Sequence, residues 1–354
     1  VSGDKEMLPV ITEAVANSLE YFEKTEFDKE RNLFRGAAVY GDGVAAYPDK
    51  YTNENKDPRV WAWQDTHPEE KYPVGYGLPM FALSTNCVYA EAYRICAELH
   101  KLTGKPYQNY YLKAENMKNA INKHFWNEER GSYDYLAGEC DHQEGLGIAF
   151  ALLFDIADGD KKRRMLENIK ITPNGIACVY PAFSRYTVYG GYGRHSGTVW
   201  PHVQGFWSLA ALKEGAGQYF ENEMFWLAEK ALRDMQFTEI YHPVTGEIYG
   251  GLQEESSCPK QYWLWPSARC QTWSATAYIS MILYGVCGLR FDAEKLNIKP
   301  YLPHKVDKAV LKNLNFGNKT LNLEIIRGGN YENMTEIPLD DKKETLNIRL
   351  SVNI

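Results

Sequence analysis

The sequence lacks the usual handles of metal, redox and phosphate chemistry. Its seven cysteines (Cys87, Cys96, Cys140, Cys178, Cys258, Cys270 and Cys287) are scattered, with no Cys-x-x-Cys pair and no His/Cys ligand spacing. Neither a zinc site nor a dense disulfide framework is expected, and most of these thiols read as buried. No Gly-Lys-Ser/Thr follows the glycine-rich run Tyr189-Gly190-Gly191-Tyr192-Gly193, which excludes a phosphate loop of that kind. No Asp-x-Asp-x-Asp-Gly loop is present to fix calcium. No cofactor is therefore expected, and no metal ligand is assigned.

Charge and hydropathy exclude further classes. The net charge of −7 is spread without long like-charge blocks or a concentrated Lys/Arg patch, which argues against a nucleic-acid partner. No apolar run reaches transmembrane length, so no membrane span is expected. No signal peptide is present, but the first residue is Val1 and not Met, so an upstream segment is expected. Location stays open: periplasmic or secreted if a signal peptide has been removed, cytoplasmic otherwise.

What the chain has in quantity is aromatic surface. It carries 9 Trp and 25 Tyr in 354 residues, many beside Gly or Pro in loop-like stretches. Large core residues with polar tips account for more than half of them. Flat rings with N–H and O–H edges also suit the faces and hydroxyls of a sugar.

Helical periodicity dominates the first 280 or so residues. Leu8, Ile11, Val15, Leu19 and Phe22 mark a helix over 7–24, and further patterns predict helices over 82–103, 106–126, 141–158, 197–214, 217–236 and 270–286. Met165 and Ile169 mark a shorter partner. Short connections such as Gly104-Lys105-Pro106 make antiparallel hairpins, while the long decorated loops 31–76, 171–196 and 238–268 fall at their other ends. After about residue 291 the pattern becomes period-two, as in Leu321/Leu323/Ile325 and Leu346/Ile348/Leu350/Val352, with Gly317-Asn318 as a turn. The expected domains are 1–290, helical and catalytic, and 291–354, a small β domain.

The loops hold the candidate chemistry. Asp42 is bracketed by glycines and followed by Tyr47-Pro48, and a turn-capping Asp is the competing reading. Trp61, Trp63 and Asp65 lie in a long polar loop and read as a cleft wall with a second acid. Glu239 stands beside Tyr241, His242 and a Pro/Gly turn, and Gln271, Trp273 and Ser274 open the next helix. Arg194 and Gln271 can bind hydroxyls. Trp200, Trp207 and Trp273 suit either a helical core or a sugar floor. His195 and His202 read as hydrogen-bonding or structural residues. Glu254 and Glu255 are reserve bases, otherwise a solvated loop edge.

Four segments carry a resemblance: Gly41-Asp42-Gly43-Val44-Ala45-Ala46-Tyr47-Pro48, His195-Ser196-Gly197-Thr198-Val199-Trp200-Pro201, Thr238-Glu239-Ile240-Tyr241-His242-Pro243-Val244-Thr245-Gly246, and Gln271-Thr272-Trp273-Ser274-Ala275. On these the chain resembles the six-hairpin glycosidases, most nearly the relatives of glycoside hydrolase family 63. The resemblance implies a mainly α fold, an (α/α)6-type toroid of helical hairpins with a small C-terminal β-sandwich. About eight to ten helices are legible against the twelve of a full toroid, so either upstream helices are absent and the barrel is incomplete or the long loops contain short helices of their own. The group admits calcium.

The resemblance further implies an inverting glycosidase, exo-acting on α-linked glucoside-, mannoside- or rhamnoside-like glycosides, with Asp42 as general acid and Glu239 as general base. Tyr47, Trp61, Trp63, Asp65, Arg194, His195, Trp200, Tyr241, Gln271 and Trp273 are the expected substrate contacts, and the expected partner is an oligosaccharide or glycoside. Two alternatives stand beside it. A phosphorylase on the same toroid would need a phosphate nest, for which Ser196-Gly197-Thr198 beside Arg194 is the candidate. A non-catalytic glycan-binding protein would keep the aromatics and lose an acid. The sequence leaves the sugar, the linkage and the oligomeric state open.

Overall fold

The computed structural model describes residues 5–41, 43–52, 60, 78–254, 262–339 and 344–352. Helices form where the apolar periodicity predicts them, at α1 (Met7–Thr25), α2 (Leu83–Leu102), α3 (Gln108–His124), α4 (Gly145–Leu153), α5 (Gly159–Asn168), α7 (Pro201–Lys213), α8 (Gly217–Asp234) and α9 (Thr272–Ser280), and a single unpredicted turn, α6 (Ser184–Thr187), forms inside the loop expected over 171–196. A wider π turn, Met281–Val286, prolongs α9. Two-residue ribbons punctuate the helices: β1 (Phe27–Asp28) with β2 (Leu33–Phe34), β3 (Trp126–Asn127) with β4 (Ser132–Tyr133), and β5 (Gln143–Glu144) with β6 (Val179–Tyr180).

The helix expected over 141–158 is shorter at both ends. Its first residues are drawn into β5, and at its far end Asp155 takes a left-handed φ of 55°, which breaks the helical ladder. The stripe on α1 also turns: Ile11 is exposed, while Thr12 is buried by donating its hydroxyl to Leu8 O at 2.7 Å.

Packing sets the layers. α2 lies on α4, α4 on α7 and α7 on α9, so these four form an inner arc, backed by α1 and α3 on α2 and by α8 on α7. Their N-termini gather at one end, where Ser84 N in the first turn of α2 donates to Glu144 Oε2, next to the start of α4, at 3.0 Å. Gly145 N donates to Cys178 O and Cys178 N to Thr198 O, which joins α4 to the segment entering α7. Val199 pairs with Tyr241, and Gln271 N donates to Phe237 O, which joins α7 to the start of α9. Four helix N-termini, each a locus of partial positive charge, thus face one region.

Beyond the π turn come β9 (Leu289–Phe291), β10 (Lys295–Ile298), β11 (Lys308–Phe316), β12 (Lys319–Arg327), β13 (Thr335–Pro338) and β14 (Thr345–Val352). They make two three-stranded sheets, β13-β10-β9 and β11-β12-β14, with β12 and β14 parallel. Gly317, at φ 54°, opens the two-residue turn between β11 and β12. Leu321, Leu323 and Ile325 alternate inward on β12 and share a core with Phe220, Met224 and Leu227 of α8. Burying each such side chain contributes roughly 1.5–3 kcal/mol, which holds the sheets to the helical body.

Candidate active site

Glu239 follows α8 on the segment that crosses to α9, and it is only 5% exposed. Its Oε1 accepts from Arg194 Nη2 at 2.9 Å and its Oε2 from Ala268 N at 3.0 Å. Both oxygens are therefore held, one by a cation and one by backbone, in the geometry of a positioned acceptor. Arg194 is fixed in turn: Nη1 donates to Gly250 O at 3.0 Å, and its backbone N–H donates to Leu252 O at 2.8 Å.

The guanidinium lies between two indoles, 5.4 Å from the centroid of Trp200 and 5.9 Å from that of Trp265. Such a close approach of the hairpin strand β7 (Leu252–Glu254) needs glycine at its entry. Gly251 sits at φ 82°, and a Cβ there would fall 2.3 Å from Arg194 Cα. Trp265 continues the ladder beyond β8 (Tyr262–Leu264) by donating its N–H to Gly251 O at 3.0 Å.

An aromatic floor surrounds Trp200, which is buried with its Nε1 donating to Arg194 O at 2.8 Å. His195 stacks on it at 4.8 Å, Tyr40 leans on it at 5.4 Å and Trp273 lies at 6.0 Å. Tyr40 also meets His202 edge-on at 4.3 Å and shares a hydrogen bond with Cys178 Sγ at 2.5 Å. Burial pushes the His195 pKa down to about 3, helped by the charges on Arg194 and His202, and pushes His202 down to about 4. Both rings are neutral at ordinary pH. Pro201 at the first position of α7 fixes where Trp200 and His202 leave the loop.

The three long loops meet here. Arg185 ties them, donating from Nη2 to Val44 O at 2.8 Å, from Nη1 to Asp49 Oδ1 at 2.8 Å and from Nε to Glu254 Oε1 at 3.1 Å. Nothing in the sequence marked Arg185, Tyr40 or Trp265, because each works through partners some 70 to 160 positions away. The glycine pair at 250–251 was the one available signal that a backbone approaches closely there.

Several expected contacts lie elsewhere. Tyr47 is fully buried, its hydroxyl accepting from Ala38 N at 2.9 Å and donating to Gly41 O at 2.5 Å. It holds the 38–41 turn from behind and is not a wall of the pocket. Tyr241 is also fully buried, packed with Val199, Phe220 and Met224 in the core beneath the site. Trp207 is core, against Tyr219. Gln271 caps α9, its Oε1 accepting from Thr272 N at 3.0 Å, and also lines the groove that holds Trp273. Glu254, the reserve base, is committed to Arg185 and to the Tyr186 hydroxyl at 2.8 Å. Asp42, Trp61, Trp63, Asp65 and Glu255 lie outside the described residues, although Gly41 and Gly43 on either side of Asp42 are in the loop braced by Tyr47 and Arg185.

Trp273 is 44% exposed and lines a groove of about 570 Å³ along α7 and α9, together with His202, Phe206, Leu209 and Tyr284. Among the described residues no group of three or more His, Cys, Asp or Glu could hold a metal ion, and no helix is long and apolar enough to cross a membrane.

No curated protein sequence matches the chain. Among solved structures it is similar to a sialidase at 16% identity and a TM-score of 0.67, covering 98% of this chain and 31% of that one. It is similar to the GH63 mannosylglycerate hydrolase from Thermus thermophilus in complex with glucose at 15% identity and a TM-score of 0.56, over 79% and 68% of the two chains. A GH78 family rhamnosidase of Bacillus sp. GL1 matches at 13% identity and a TM-score of 0.53, over 100% and 32%. The chain thus spans about a third of the length of the sialidase and the rhamnosidase, and at these identities the likeness is one of fold. The family model for the mannosylglycerate hydrolase MGH1-like glycoside hydrolase domain matches residues 1–274, and the chain belongs to that family.

Proposed function

We propose that the protein is an inverting glycoside hydrolase, exo-acting on α-linked glucoside-, mannoside- or rhamnoside-like substrates. The observation that carries this is the Glu239 carboxylate, held on both oxygens by Arg194 and Ala268 N beside a floor of aromatic rings. In this reading the inner arc is part of an (α/α)6-type toroid, with residues 1–290 as the catalytic domain and the C-terminal strands as a β-sandwich cap.

Glu239 acts as general base. Each of its oxygens has one donor and keeps lone-pair capacity for a water, which it orients and deprotonates for attack on the anomeric carbon. Asp42 acts as general acid and protonates the departing glycosidic oxygen from the opposite face, with the two carboxyl groups roughly 6.5–9.5 Å apart to admit the water. Arg194, braced by Gly250 O, keeps the base from turning out of line. Trp273, 44% exposed, supplies flat apolar surface for the ring, and buried Trp200 backs Arg194.

A phosphorylase is less well supported. Ser196 Oγ is buried and accepts from Phe183 N at 2.7 Å, and the Thr198 hydroxyl donates to Arg194 O at 2.6 Å, so the candidate nest is occupied by the fold itself. Proton NMR of the first-formed anomer, with nitrophenyl glycosides and disaccharides as substrates, tests the proposal. Inversion, together with loss of turnover in Asp42→Asn and Glu239→Gln, is the expected result. Retention, or strictly phosphate-dependent turnover, overturns the mechanism. Sugar binding without turnover in the unmodified protein leaves a glycan-binding role.

A further inference from the structure

The hairpin that reaches Arg194 carries more exposed indole than its fold requires. Trp263 is 56% exposed and Trp265 40% exposed, two residues apart on one chain segment. Large apolar side chains clustered at the surface, as against scattered singly, mark a contact site. The cross-strand register pairs Glu254 with Tyr262, Gln253 with Trp263 and Leu252 with Leu264, and the Trp265 N–H to Gly251 O bond extends it by one step. Side chains alternate across a strand, so Trp263 and Trp265 share a face and Tyr262 takes the other. Tyr262 is accounted for: it packs 5.4 Å from Tyr186 and 5.0 Å from Tyr189. Among the described residues Trp263 has no such ring contact, and Trp265 on the same face touches Arg194, the residue that holds Glu239.

We propose that Trp263 and Trp265 form a two-ring sugar platform leading outward from the Glu239 pocket. The preferred substrates are then glycosides with at least one further sugar ring beyond the two that flank the scissile bond. The proposal rests on the glycosidase reading. Alternate side chains on a strand stand roughly 7 Å apart, and each indole is broad enough that neighbouring rings of one oligosaccharide can rest on the pair. An indole offers an apolar face to the C–H side of the sugar and an N–H edge to a hydroxyl, which suits a saccharide better than a purely aliphatic partner. The continuity of the platform with Arg194 and Glu239 places its occupant in the same molecule as the bond to be cleaved.

The test uses the full chain, as wild type, Trp263→Ala and Trp263→Phe, with disaccharide and trisaccharide pairs of α-linked glucose, mannose and rhamnose. For the sugar that is turned over, kcat/KM should be higher for the trisaccharide. Trp263→Ala should lower the trisaccharide-to-disaccharide ratio about five- to tenfold, mainly through KM, as expected for the loss of one stacked ring, and Trp263→Phe should recover most of it. Tryptophan fluorescence titration with the same sugars reads binding apart from turnover. Length-dependent binding that is lost in Trp263→Ala, without any hydrolysis, keeps the platform and removes the hydrolase reading. Hydrolysis with an unchanged length ratio in a Trp263→Ala protein of normal melting temperature overturns the platform and leaves the hydrolase. A change of oligomeric state in Trp263→Ala by light scattering, with an unchanged ratio, makes the face a protein interface and likewise overturns it.

Discussion

Arg194 Nη2 lies 2.9 Å from Glu239 Oε1, although the two residues are 45 positions apart and arrive on different loops. Neither is held by its own segment alone. The contact exists because the segments entering α7 and α9 are stitched together through Val199, Tyr241 and Phe237.

Glu239→Gln keeps the shape and the acceptor oxygen but removes the base. Turnover should fall by roughly 10²–10⁴-fold, the usual range for one general acid or base, while sugar binding measured by titration persists. Turnover within a few-fold of wild type would show that another group is the base.

Arg194→Lys places a charge near Glu239 but cannot reach Glu239 and Gly250 O in the same fork geometry. It should lower kcat more than it raises KM. Arg194→Ala leaves a nearly buried carboxylate without its cation and should cost on the order of 3 kcal/mol in stability, read by denaturant unfolding.

Tyr47→Phe deletes a hydroxyl that bonds to two backbone groups of the 38–41 turn. The expected cost is about 1–3 kcal/mol, because Ala38 N and Gly41 O are left without that partner. Activity should fall along with stability, since the turn leads directly to Asp42. A stable variant with full activity would separate this brace from the site.

Gly251→Ala meets two penalties at once, the φ of 82° and the 2.3 Å approach to Arg194 Cα. It should destabilise by more than about 1 kcal/mol and displace the β7 hairpin. Differential scanning calorimetry and the turnover assay check both effects.

Two sets of buried groups give opposite pH trends. His195 and His202 have pKa values lowered to about 3 and about 4, so between those values and about 6.5 the unfolded chain binds more protons. Their contribution is complete above about 6.5 and is lost as pH falls. Burial instead raises both Glu144 and Glu223 to about 7, against the hydrogen bonds from Ser84 to the first and from Gln204 and Ile176 N to the second that lower them, so their contribution is complete below about 4.5 and is lost as pH rises through 7. Melting temperature against pH should therefore pass through a maximum on the mildly acidic side of neutrality. Glu144→Gln should roughly halve the fall on the alkaline side, Glu223 supplying the rest, and leave the acid limb in place.

The helices were legible because a 3.6-residue apolar period is a local property, and so was the change to strands near β9, where alternation such as Leu321, Leu323 and Ile325 takes over. Glu239, Arg194 and Trp200 could be singled out by residue type and by resemblance. Whether a tyrosine faces a pocket or a core depends on what packs against it, and that is not a local property. Tyr47 and Tyr241, close in sequence to the candidate acid and base, both turn inward, whereas Tyr40, Arg185 and Trp265 come to the site from the three long loops, where nothing local set them apart from their neighbours. The amino-acid sequence by itself determined which segments are helices and which carry chemistry. Only the tertiary structure decided which side chains meet, because the hydrogen bonds and ring contacts that aim Glu239 span tens of residues and exist only once the inner helices have packed side by side.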